Sequence, residues 1–187
     1  MNKFDPKNGE AQVIVGVADA ALHMYHAAIE SLPFPEDKKF QKRAEVVLTG
    51  LRKLRASLTE AATYSRSTST VIATLSEVRR IYDELIARAA AAPNATLGQQ
   101  LYAVRVRANL SAVEAALGVG LRPELPDELE EGATPTADEA NKVQDLIEAL
   151  GGIPRIEDLT PPAAPSDADL NGAETETNGV ALDPAAN

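Results

Sequence analysis

The sequence predicts an all-α protein: an up-down antiparallel four-helix bundle, a short additional amphipathic helix and a disordered acidic C-terminal tail. Two patterns and one division predict it. Apolar residues recur at three- and four-residue steps over long stretches without proline, the period of one helix face. No competing strand pattern of alternating apolar and polar residues is present. Charge divides along the chain, with 16 Lys and Arg against 12 Asp and Glu in residues 1–122, and 2 against 16 in residues 123–187.

The first helix is expected over 10–32, where Ile14, Val17, Ala21, Tyr25, Ala28 and Leu32 form the apolar face. Pro33 and Pro35 in "LPFPED" cannot continue it, whereas Pro35 with Glu36 and Asp37 suits the first turn of a second helix. That helix carries Phe40, Ala44, Val47, Leu51, Leu54, Leu58 and Ala61 at steps of four and three, a heptad seam typical of coiled coils. After the polar "YSRSTST" a third helix repeats the spacing with Val71, Leu75, Val78, Tyr82, Leu85 and Ala89, until Pro93 stops it. Short connections between such helices favour antiparallel neighbours. A tetratricopeptide-like solenoid is not supported, because no 34-residue self-similarity is present.

The fourth helix is expected from Asn94–Thr96 to "GVG" at 118–120, closed by a glycine. Its apolar residues fall on two stripes: Leu97, Leu101, Val104 and Ala108, and Val106, Leu110, Val113 and Leu117. At about 100° per residue these stripes face about 180° apart. One of them therefore needs a further partner. A fifth helix, opened by the capping box "TADE" at 136–139, brings Ala140, Val143, Ile147 and Leu150 on one side before Gly151 and Gly152. It is too short to be stable alone in water and must dock.

The domain reading is thus a bundle over 1–122, a Pro-rich acidic linker over 123–135, the short helix over 136–152 and a disordered acidic tail over 153–187. The last third of the chain has 8 of 12 prolines and no aromatic residue, a composition that buries little apolar surface against chain entropy.

Little in the chain resembles catalytic machinery. Cysteine is absent, which removes disulfides, thiolate ligands and a cysteine nucleophile. Neither phosphate-binding glycine loops nor H-E-x-x-H or G-x-S-x-G motifs occur. Asp19, His23, His26 and Glu30 share a sector of about 60° on the first helix, as one wall of a metal site would. That stripe lies opposite the apolar face, and no other helix supplies a histidine, so a solvated surface is expected, with no metal and no cofactor. The acceptor patterns "NAT" at Asn94 and "NLS" at Asn109 are expected to be a helix cap and a helix-interior residue.

A basic cluster on the second helix and another on the third could follow a phosphate backbone; Lys39, Lys42, Lys53, Arg79 and Arg80 are the candidate anion ligands. Interleaved acids and scarce aromatic residues weigh toward ordinary solvated faces. The expected function is a non-enzymatic helical interaction or assembly protein that binds a protein partner or itself. Its expected binding residues are Val106, Leu110, Val113 and Leu117 with Val143, Ile147 and Leu150; an equal alternative is that all seven are simply buried in one five-helix core. The alternatives are a nucleic-acid-associated regulator modulated by the acidic tail, and a scaffolding subunit of a larger, virus-like assembly. No membrane span or leader peptide is supported, and a cytoplasmic setting is the expectation.

Overall fold

A computed structural model describes residues 6–64 and 68–153. Among them all regular structure is helical: α1 (Pro6–Glu30), α2 (Phe40–Tyr64), α3 (Thr68–Ala91), α4 (Leu97–Arg107), α5 (Ala112–Gly118), α6 (Leu125–Glu130) and α7 (Ala137–Ala149). None of these helices is long and apolar enough to cross a membrane. The tail expected over 153–187 lies, from residue 154 on, outside the described residues.

The second and third helices pair as their spacing predicts. Phe40, Ala44, Val47, Leu51 and Leu58 of α2 meet Val71, Leu75, Val78, Tyr82, Leu85 and Ala89 of α3, and all are buried in one cluster. α2 begins at Phe40 rather than at Pro35, because the Asp37 carboxylate accepts the Lys39 backbone N–H at 2.7 Å and holds a turn before it. α1 lies across both helices and buries Ala18 and Leu22, with Ile14, Tyr25 and Ile29 beside them. Tyr25 rests against α2 at Gly50, where a Cβ would overlap its ring.

The expected fourth helix is two helices. Asn109 adopts a left-handed φ of 55°, and the Leu110 N–H returns to the Arg105 carbonyl at 2.8 Å while that of Asn109 reaches Val106 at 3.0 Å. This is the hydrogen-bond pattern of a Schellman stop. Ser111 then opens α5 with a capping box to Glu114. Asn109 is therefore a helix terminator and not the helix-interior residue expected. Asn94 also takes a left-handed φ, 65°, and the cap of α4 is Thr96.

The stretch 123–135 is likewise no simple linker. It contains α6, whose Leu125, Pro126 and Leu129 are buried. A second apolar cluster forms from Leu101 and Val104 of α4, Ala115 and Ala116 of α5, Leu121, Leu125 and Leu129, and Val143, Leu146 and Ile147 of α7. α7 docks on α4 within the same chain, with its capping box from Thr136 to Glu139 formed as the sequence predicts. α4 thus stands between two cores: Tyr102 belongs to the first and Leu101 and Val104 to the second.

Charged groups are buried where the two cores meet. Arg105 donates to Glu130 at 2.6 Å, with only 11% and 5% of the two side chains exposed. Arg52 donates to the Glu130 backbone carbonyl and to the Glu45 carboxylate. Tyr102 donates a hydroxyl hydrogen bond to the Asp83 carboxylate at 2.6 Å, stands edge-on to Tyr82 at 5.1 Å, and carries the Arg105 guanidinium over its ring at 4.5 Å. Burial pushes the Glu130 carboxyl above its ordinary range, against the opposing pull of Arg105. The phenols of Tyr82 and Tyr102 are raised by burial too.

Three outcomes follow from this packing. Gly98 of α4 touches the backbone carbonyl of Leu129, which cannot move aside; Gly98→Ala should destabilise the chain by about 1 to 3 kcal/mol in denaturant unfolding. Arg105→Ala, which strands Glu130 in the interior, should cost about 3 to 5 kcal/mol, while Arg105→Met combined with Glu130→Leu should cost far less. Finally, the Thr136 backbone N–H and the Arg122 guanidinium hold the Glu139 carboxyl down at about 2, below about 4.3 for an unfolded glutamate. Between those values the unfolded chain binds the extra proton, so this contribution to stability is complete above about pH 4.3 and is lost as pH falls toward 2. Glu139→Gln should therefore be less stable than wild type at pH 7, with the difference vanishing near pH 2 in the same unfolding assay.

Candidate interaction surface

The residues expected to bind a partner are divided between the two cores and the surface. Val143 and Ile147 are buried in the second core, and Leu150 and Leu110 pack on its edge. Val106 packs against the first core. Only Val113 and Leu117, on α5, remain exposed, at 49% and 61%. The reason is the turn at Asn109, which rotates α5 so that Ala115 and Ala116 face inward. The two stripes of the predicted fourth helix never lie on one continuous rod.

The candidate anion ligands are also dispersed. Arg80 is engaged by Glu77 and Glu84, each at 2.6 Å, and holds the Glu77 carboxyl below its ordinary range by hydrogen bonding. Arg79 and Lys53 are exposed on different helices. Lys39 and Lys42 share a surface with Arg43 at the start of α2. Asp19, His23, His26 and Glu30 are all exposed on α1, which is the outward direction predicted for them. Among the described residues no group of three or more His, Asp or Glu side chains comes together in a way that could hold a metal ion.

What the structure brings together instead is an apolar surface on α1. Its buried side runs through Ala18 and Leu22, not through Val17 and Ala21 as the spacing suggested. Val13 and Val17 are each 66% exposed and Met24 is 74% exposed. Together with Gly16 and Ala20, also exposed, they line a sector about 130° from the buried one on a helix of about 100° per residue. The titratable stripe occupies the third sector.

This apolar sector runs toward a groove of about 600 Å³ between the end of α1 and the start of α2. Ala28, Leu32, Val46 and Val47 supply its apolar lining, and Lys39, Lys42 and Arg43 its cationic one. Val46 stands out of α2, 71% exposed. One turn along α2 from Val46, the absence of a side chain at Gly50 lets the Tyr25 ring of α1 approach α2 closely. The Asp37 carboxylate caps the Lys39 backbone N–H; among the described residues no carboxylate forms a salt bridge with the three cationic side chains.

A signal of this surface was present in the sequence. Between residues 13 and 28, Asp19 is the one carboxylate and no Lys or Arg occurs, so the helix is apolar over more than one face. A helix of that kind is buried on more than one side or presents a face to something else. Periodicity could not decide which of two adjacent faces packs inward.

No chemistry of bond making is assembled at this surface. The groove holds amines, a guanidinium, one hydroxyl from Ser31 and aliphatic groups, and the Ser31 hydroxyl is already donated to the Ala28 carbonyl at 2.8 Å. The arrangement can bury apolar side chains and pair with carboxylates.

The family MSMEG_6518_N, described as an N-terminal domain, matches residues 25–96, from Tyr25 in α1 through α2 and α3 to the cap of α4. An uncharacterized protein of Mycolicibacterium smegmatis is 53% identical over 129 residues, covering 69% of this chain and 100% of that protein. No solved structure matches the chain. With that identity over the whole of the relative, the chain belongs to the family of the Mycolicibacterium smegmatis protein and carries the MSMEG_6518_N match at residues 25–96.

Proposed function

We propose that this protein is a non-enzymatic helical interaction protein that binds another protein, or a second copy of itself, through an exposed apolar helix face. The observation that carries the reading is the α1 surface of Val13, Val17 and Met24, continued by the Ala28, Leu32 and Val46 groove. Contiguous apolar surface on a soluble chain generally marks a binding site. Transfer of such side chains from water is worth about 1.5 to 3 kcal/mol each when burial is complete, so a few of them suffice for a specific complex. The cationic rim would then select and orient the partner more than hold it. The face lies on α1 and α2, apart from the exposed Val113 and Leu117 of α5.

A photo-cross-linking amino acid placed at Met24 or at Val46 should yield one discrete adduct in cells making the full chain, and none when placed at the exposed Glu60 of α2. The reading fails if positions 24 and 46 give no adduct, or give the same diffuse pattern as position 60. Because both side chains are solvent-exposed, Val17→Lys and Met24→Lys should change unfolding stability by less than about 0.5 kcal/mol, whereas Leu22→Ala, on the buried side of the same helix, should cost about 2 to 5 kcal/mol. Cross-linking by position 24 that is lost in Val17→Lys, at unchanged stability, would tie the adduct to this face.

A further inference from the structure

From the charge and shape of the groove between α1 and α2, we infer that it is the docking site for an acidic segment of this same chain, residues 166–170, "SDADL". The inference rests on the reading of that surface as a binding face and names the occupant it takes in the absence of another protein.

The groove asks for two things together. Its lining of Ala28, Leu32, Val46 and Val47 needs apolar side chains, and Lys39, Lys42 and Arg43 need carboxylates. A second copy packed groove to groove would bring its own cationic rim to the same place, where like charges repel; a second copy bound along the apolar strip of α1 alone would leave the groove open to another occupant. Residues 154–187 are the opposite, with seven Asp and Glu against Arg155 alone.

Reach narrows the choice within that stretch. Ile153 is fixed at the second core, and the Arg107 guanidinium holds the Leu150 and Gly152 carbonyls at 2.9 and 2.7 Å. From there α4 and the bundle intervene, at least two helix layers or about 20 Å. Ile156 to Leu159 follow too soon after that anchor. Asp167 lies fourteen positions beyond Ile153, up to about 50 Å of extended chain, enough to pass around a body whose radius of gyration is about 15 Å.

Beyond residue 160 one stretch matches the groove. In "SDADL" acid and apolar residues alternate, so an extended backbone would turn Ala168 and Leu170 to one side and Asp167 and Asp169 to the other. Neither "GAETET" nor "GVALD" offers two carboxylates beside a leucine or valine. Tethering raises the local concentration of such a segment to the millimolar range, so a weak contact is populated until a tighter partner displaces it.

The absence of cysteine makes the test direct. Ala168→Cys in the full chain gives a single attachment point for a nitroxide, and the isotope-labelled chain reports which amides it broadens. The signals of Ala28, Val46 and Val47 should lose most of their intensity. They should recover it in about 1 M salt, where the screening length falls to about 3 Å, and in Lys39→Glu combined with Lys42→Glu. The inference is overturned if the groove signals keep their intensity, if broadening falls on Val113 and Leu117 instead, or if it requires a nitroxide carried by a second molecule. Should the groove stay unbroadened while positions 24 and 46 still cross-link to a discrete partner, the self-docking fails and the binding face stands. Loss of both results would remove the binding face as well.

Discussion

The burial of Glu130 between two arginines is the constraint on which the rest of the structure depends. A carboxylate in that position is costly to desolvate, and its pairing with Arg105 offsets that cost only in one geometry. The geometry requires α6 to lie against α4, with Arg52 of α2 reaching the carbonyl of the same residue. A single residue on a short helix is therefore coordinated by two helices from earlier in the chain. Once it is seated, Gly98 meets Leu129, the second core closes over Leu101 and Val104, and α7 has a surface to dock on. Apolar burial supplies most of the free energy there, but it is indifferent to small rotations of helices; the ion pair and the Tyr102 to Asp83 hydrogen bond select one arrangement.

This joint also explains how charge is distributed between the cores and the surface. Arg52, Arg55 and Arg105 are drawn into the interface, as pairs with Glu45 and Glu130 or over the rings of Tyr82 and Tyr102. The cationic groups remaining in the α1 and α2 groove are Lys39, Lys42 and Arg43. A chain that is net acidic by ten charges thus presents a small basic field beside the exposed Val13, Val17 and Met24 of α1. The range of such a field is about a Debye length, roughly 8 Å at physiological salt.

The place of α1 in the fold has a functional reading of its own. The two cores draw most of their buried residues from α2 to α7, while among the described residues α1 buries Ala18 and Leu22 fully and packs Ile14, Val15, Tyr25 and Ile29 at the edge of the first core. A helix so lightly buried has apolar residues to spare on its outer side. The family match beginning at Tyr25 takes in the groove end of that helix together with α2 and α3.

Elements with one strong local cause were legible without a structure. The seams of α2 and α3 follow from their four-three spacing, because a helix that repeats apolar residues so regularly has only one face to bury. The capping box at Thr136 places the start of α7 within a residue. The outward direction of the histidine stripe follows from helix geometry alone. The same capping signal occurs at Ser111 and Glu114, after an asparagine able to turn left-handed, and was hidden because the apolar spacing around it reads as one long helix. What the chain by itself determined, then, is its helical class, its two central seams and the cap of α7, since these depend on neighbours within a few residues. Only the tertiary structure decided which face of α1 turns inward, that 123–135 folds as part of a second core, and that Val143 and Ile147 are interior while Val46 and Met24 are not. Those choices depend on surfaces contributed by residues far apart in sequence, and local periodicity carries no information about them.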